Sequence, residues 1–198
     1  MLVRELMTTC AVTVPPSLAL KAALRLLAEH DITSMPVVSP QGKIVGVVSE
    51  ADLIRDLVSA DPRLHEIPID TEPPRSAVVA DVMTPHAVTV TPNTDLRTAV
   101  DLMTSTSVKS LPVVDSHDKV VGVLSRRDVV QVYARADQAL ERDVQVMLAS
   151  GGLTDWLCDV HDGVAEVSGS ADPRTARLAR ALAGAVPGVV AVRMAEAS

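Results

Sequence analysis

A chain of 198 residues, 47% of them hydrophobic, is long enough to bury a real core as one large or two small domains. A formal charge of −7 opposes a phosphate backbone, and the absence of Phe, with one Trp and one Tyr, removes stacking platforms, so nucleic acid is excluded as a general partner. Two distant cysteines, Cys10 and Cys158, show no metal or disulfide spacing; no apolar run approaches the roughly 18 residues of a membrane span, and no basic leader precedes one, so a cytoplasmic protein without a membrane partner is expected.

The dominant pattern is a repeat. Residues 7–53 align with 83–129 at a constant offset of 76, and twenty of those 47 positions are identical. Each copy opens with a β-branched run, Ala11 to Val14 or Ala87 to Val90, predicting a short strand. A proline and a helix start at Ser17 or Asn93 follow. Apolar residues then recur at helical spacing, Leu20, Ala23, Leu24 and Leu27 in the first copy and Leu96, Ala99, Val100 and Met103 in the second. Two strands around a turn come next, Pro36 to Ser39 with Lys43 to Val48, and Pro112 to Asp115 with Lys119 to Leu124. A second helix closes each copy from near Ser49 or Ser125. The expected fold class is therefore α/β in the α+β sense, with two β-α-β-β-α units over 1–59 and 77–134 packed as a pseudo-symmetric pair. Residues 60–76, with Pro62, Pro68, Pro73 and Pro74, predict an irregular connection.

Chemistry concentrates where the second strand of each copy meets its closing helix. In Gly46-Val47-Val48-Ser49-Glu50-Ala51-Asp52, a hydroxyl residue opens a helix whose free N–H groups and positive dipole end favour an anion. Gly122-Val123-Leu124-Ser125-Arg126-Arg127-Asp128 repeats the arrangement. Two readings stand for Asp52 and Asp128: a capping box with Ser49 and Ser125, or carboxylates accepting both hydroxyls of a ribose. Ser34-Met35-Pro36 and Ser110-Leu111-Pro112 open the preceding strands, where proline has no donor to lose. The copies differ in charge. Lys109 and Arg126 replace Thr33 and Glu50, and Arg127 replaces Ala51, so a polyphosphate would favour a cleft holding Lys109, Arg126 and Arg127, solvated surface cations being the alternative.

An M-T start, a Thr-Val strand, S-x-P-V-V and G-V-(V/L)-S-x-x-D, occurring twice over residues 1–134, resemble a tandem pair of cystathionine-β-synthase-type (CBS) domains. The resemblance implies adenosine-containing ligands of the AMP, ADP and ATP class between the repeats, with Asp52 and Asp128 on the ribose. It further implies clefts lined by Thr13, Val14, Thr89 and Val90, and a homodimer. Leu53 and Val129 on the closing helices are the candidate dimer contacts.

From Asp137 the pattern changes. Val144, Val146 and Leu148 fit an early element. Val160 to Gly169 reads as a hairpin turning at Asp162-Gly163, Arg174 to Ala185 as a helix started by Asp172-Pro173, and Val189 to Val192 as a last strand. D-G-V-x-x-V-x-G, an Arg/Ala helix and V-P-G-V-V-x-V over 137–195 resemble a BON domain. Trp156, just before the hairpin, reads as a core or interdomain anchor.

The five histidines show no ligand spacing, and no Walker, Rossmann, G-x-S-x-G or H-E-x-x-H motif is present. The expectation is a non-enzymatic regulator that relays an adenine-nucleotide state to the BON-like domain or to an unidentified protein partner. No cofactor is required, and magnesium enters only with a nucleotide. The alternatives are a dimeric scaffold with empty clefts and a lipid-associated stress protein led by the BON-like domain.

Overall fold

The computed structural model describes residues 1–57, 77–169 and 172–195; the irregular connection expected over 60–76 lies outside the described residues. The chain forms two compact units, Leu2–Arg126 and Arg127–Ser198. The division falls at Arg127, ahead of the boundary near 134–137 expected from sequence.

In the first unit a 3-10 turn, Val3–Glu5, precedes α1 (Leu20–Glu29), β1 (Ser34–Val38), β2 (Ile44–Ser49) and α2 (Glu50–Leu57). The second repeat follows as α3 (Val79–Val82), β3 (Thr84–Pro85), α4 (Leu96–Ser105), β4 (Ser110–Val114) and β5 (Val120–Ser125), and α5 (Arg126–Tyr133) starts directly after it. Helix α1 buries Leu20, Ala23 and Leu27 and exposes Lys21, Arg25 and Glu29, the stripe that the 3.6-residue period dictates. It ends at Asp31, whose φ of 52° continues no helix, and α4 ends at the equivalent Ser107, with φ 58°. Strands β1 and β2 pair antiparallel with Ser34 opposite Ser49, and β4 and β5 repeat that register with Ser110 opposite Ser125.

What joins the repeats is an exchange of their leading segments. Thr84 of β3 pairs with Val47 of β2, and the equivalent Thr8 bridges to Val123 of β5. Upstream, Val79 N–H donates to Leu18 O (2.8 Å) and Ala80 N–H to Pro16 O (2.9 Å), while Val3 N–H donates to Thr94 O (2.9 Å) and Arg4 N–H to Pro92 O (3.0 Å). These are the same bonds displaced by 76 residues. Val79 is fully buried in the first repeat's core with Val14, Leu20, Met35, Val37, Val48 and Leu53.

The exchange accounts for two departures from the sequence reading. The first helices start at Leu20 and Leu96, after Ser17 and Asn93, because the carbonyls just before them are already accepting bonds from the other repeat. The strands expected at Ala11 to Val14 and Ala87 to Val90 shrink to single parallel bridges, Val14 to Val37 and Val90 to Val113, since the prolines that follow cannot extend a ladder.

In the second unit α6 (Asp137–Ser150) leads to a sheet of β6 (Leu157–His161), β7 (Val164–Ser168) and β8 (Ala191–Met194), with α7 (Pro173–Gly184) as the crossover between the parallel strands β7 and β8. The early element is a helix: Val144 and Leu148, one turn apart, are buried, whereas Val146 is 69% exposed. The hairpin turns at Asp162 and Gly163, both at positive φ, and their N–H groups donate to the Asp137 carboxylate at 2.8 and 2.9 Å. Asp172 caps α7 through Thr175, and these hydrogen bonds hold its carboxyl below the usual carboxylate range. The last strand begins at Ala191, two residues after the expected start. Trp156 belongs to this unit's core with Leu140, Val144, Leu148, Val160, Ala165 and Val167. A Cβ on Gly169 would fall 2.2 Å from its ring, so only glycine fits there. Cys158, half-buried and near Glu141 and Asp159, has its thiol pushed up to about 11, chiefly by desolvation.

Among the described residues, no helix is long and apolar enough to cross a membrane.

The exchanged segments run so close to β2 and β5 that a Cβ on Gly46 would lie 2.7 Å from Thr84 O, and one on Gly122 2.8 Å from Thr8 O. Gly46→Ala and Gly122→Ala are therefore expected each to destabilise the pair by about 1–3 kcal/mol through overpacking. Chemical denaturation followed by circular dichroism measures this; wild-type midpoints for both would refute the close approach.

Candidate functional site

A cleft of about 360 Å³ opens between the repeats of the first unit. One wall comes from the first repeat: Thr33, Ser34, Val47, Ser49, Glu50, Ala51 and Asp52. The other comes from the second repeat: Thr84, His86, Ala87, Val88, Ser107 to Ser110 and Pro112. Its volume lies within the range of small-molecule sites. The exchange makes it two-sided, because β3 lies along β2 and the residues that follow it, His86, Ala87 and Val88, line the cleft opposite Ser49 and Asp52.

At the floor, Ser34 and Ser110, equivalent residues of the two repeats, join their hydroxyls at 2.6 Å across the pseudo-twofold axis. Beside them the capping box predicted at Ser49 is formed. Ser49 N–H and Oγ–H donate to Asp52 Oδ2 at 3.0 and 2.6 Å, and Asp52 N–H donates back to Ser49 Oγ at 3.4 Å. The bonds fix the carboxylate in the first turn of α2, half-buried and on the cleft wall. At the mouth, Lys109 Nζ reaches across from the second repeat to Glu50 Oε1 at 2.7 Å.

The cleft thus brings together Ser34, Ser49, Asp52, Lys109, Ser110 and Pro112 from the expected set. Other members lie elsewhere. Met35, Val14 and Leu111 are packed in the core, as is Val90, whose N–H donates to Pro112 O and whose carbonyl accepts from Val114 N–H. Pro36 is buried in its strand, and Thr13 and Thr89 are absent from the lining. The cleft takes its apolar contacts from Ala87 and Val88, two residues earlier than expected, because Val90 is drawn into the core.

The grouping of Lys109 with Arg126 and Arg127 is not what forms here. Lys109 lines this cleft, while the Arg126 guanidinium turns to Met103 O at 2.9 Å. Ser125 ends β5, and Arg127 and Asp128 sit in the first turn of α5. Sequence reasoning also missed His86, Ser107 and Val108 as lining; only the exchanged partner segment brings His86 there. Among the described residues no group of three or more His, Cys, Asp or Glu is placed to hold a metal.

Two repeats related by a pseudo-twofold swap their leading segments and open a cleft between them, which is the architecture of a paired-repeat module. The CBS domain model matches residues 3–59 and 79–135, and the chain belongs to that family. It is 33% identical over 134 residues to the CBS domain-containing protein CBSX2, chloroplastic, of Arabidopsis thaliana; the match spans 60% of this chain and 56% of that protein. A crystal structure of CBSX2 in complex with AMP superimposes with a TM-score of 0.54 at 32% identity, covering 66% of this chain and 93% of that one. The cytosolic domain of the magnesium channel MgtE in complex with ATP is 32% identical with a TM-score of 0.50, over 64% of this chain and 46% of that one. The chain is a CBS-pair protein.

Because the Ser49–Asp52 box is formed, Asp52→Ala is expected to lower stability by about 0.5–2 kcal/mol. Asp52→Asn, which keeps an acceptor for the Ser49 N–H, should lose much less. Thermal melts of the two variants without ligand check this; equal losses would contradict the capping geometry.

Proposed function

We propose that this protein is a regulatory sensor that binds an adenosine-containing nucleotide in the cleft between its repeats. The observation that carries the reading is Asp52, fixed by Ser49 on one wall and faced by Ala87, Val88, Lys109 and Ser110 on the other. The bonds to Ser49 occupy Oδ2, so a ribose hydroxyl pair falls to Oδ1 and the outer side of Oδ2. Ala87, Val88 and Pro112 supply apolar lining for an adenine ring. CBSX2, similar over the same repeats, is known in complex with AMP, which supports an adenosine ligand here. Asp128 plays the ribose-binding part in the second repeat's copy of the motif, with Ser125, Arg126 and Arg127 beside it. No metal is needed for binding; magnesium accompanies only a polyphosphate.

The C-terminal unit is a BON-like module that receives the state of the pair, alone or through a protein partner. Its hairpin, crossover helix and parallel last strand support that reading. A ligand drives such a relay only through unequal affinity for two states.

Asp52→Asn removes a charge-assisted acceptor for ribose and should weaken AMP binding by about 1.5–3 kcal/mol, one to two decades. Calorimetric titration measures it, and the emission of Trp156, the sole tryptophan, reports the C-terminal unit in the same samples. Unchanged affinity would refute the ribose role; AMP binding without any change in Trp156 emission or melting would refute the relay.

The pair is proposed to act as a homodimer through the outer faces of its closing helices. Leu53 does not serve there, being fully buried in the first repeat's core. Among the described residues, the exposed large apolar side chains of these helices are Ile54 on α2, at 49%, and Val130 and Tyr133 on α5, at 64% and 48%. Ile54→Asp should convert a dimer to a monomer in sedimentation at micromolar concentration. A wild-type monomer, or a variant still dimeric, would overturn this assignment.

A further inference from the structure

The pair's internal symmetry is broken in charge at the mouth of this cleft. Glu50 and Lys109 face each other across the mouth at 2.7 Å, whereas their equivalents in the repeat are Arg126 and Thr33. The first turn of α2 carries two carboxylates, Glu50 and Asp52, while that of α5 carries one, Asp128, with Arg126 and Arg127. A helix N-terminus ordinarily attracts phosphate; at α2 the added negative charge offsets that attraction. Lys109, the one Lys or Arg on the cleft's lining among the described residues, is already paired with Glu50. With side chains 63% and 41% exposed, the pair adds little to folding, so its consequence is the field it sets at the mouth.

Resting on the adenosine reading above, we infer that Glu50 is a specificity-determining residue that, by holding Lys109 across the mouth, tunes this cleft to adenosine ligands without a polyphosphate chain. A ligand held by its ribose at Asp52 sends its 5′ substituent toward the start of α2. A chain of phosphates there meets a carboxylate and a lysine that is already paired. A nucleoside, or a single phosphate exchanging one bond with Lys109, meets no comparable repulsion. Charge at such a position acts by excluding the wrong ligand as much as by attracting the right one.

The test is titration of the full-length protein with adenosine, AMP and magnesium ATP at fixed ionic strength. The Asp128→Asn background leaves only this Ser-x-x-Asp element intact. Adenosine and AMP are expected to bind more tightly than ATP. Glu50→Gln should strengthen ATP binding about tenfold, the scale of one charge-assisted contact, and change adenosine affinity by less than about twofold. Adding Lys109→Met should abolish that gain, since the freed lysine supplies it. Adenosine binding with an ATP-to-adenosine ratio unmoved by Glu50→Gln overturns the inference and leaves the sensor reading standing. Absence of binding by all three ligands overturns both.

Discussion

The carbonyls of Leu18 and Thr94 accept N–H groups from Val79 and Val3, and with their neighbours they bind each repeat to the leading segment of the other. Most features of the first unit depend on that reciprocal exchange. It decides where the first helices start, since carbonyls already engaged cannot propagate a helix. It demands glycine at 46 and 122, where the exchanged backbone passes within van der Waals range of any Cβ. It also completes each core, since a repeat without its partner's segment lacks a buried residue such as Val79. The cleft depends on the same exchange, because the swapped segment, with Ser107 to Ser110 and Pro112 of its own repeat, forms one wall and the host repeat the other.

The repeat itself was fully legible, because an offset of 76 with identities at Gly46/Gly122, Ser49/Ser125 and Asp52/Asp128 needs no three-dimensional information. The amphipathic helices and paired strands followed from periodicity, and the Asp162-Gly163 turn from its chemistry. What the sequence hid was non-local. Nothing in Met7-Thr8 or Met83-Thr84 indicates that each pairs with the other repeat. The lining by His86, Ala87 and Val88 was therefore missed, and Val90, whose β-branched side chain suits a cleft wall or a core equally well, was assigned to the wrong one. Val144, Val146 and Leu148 marked an early element without fixing its type: on α6 two of them face the core and one faces outward.

The site also shows how two roles fall on one residue. Asp52 both closes the capping box and lines the cleft, and the bond that stabilises α2 is what fixes its carboxylate for a ligand. Rigid first-turn geometry of this kind positions an acceptor without loop rearrangement. The two repeats keep the Ser-x-x-Asp frame but differ in the residue after the serine, Glu50 in one copy and Arg126 in the other, while in both the strand passes directly into the helix.

Both repeats build one cleft jointly, and the proposed adenosine ligand bridges its two walls. Amide hydrogen exchange with and without AMP tests it most directly. Slowed exchange at Ser49 to Asp52, appearing together with slowed exchange at Thr84 to Val88 and Ser107 to Ser110 and saturating at one AMP concentration, is the predicted result. Protection confined to one repeat, or none at saturating AMP, would contradict it.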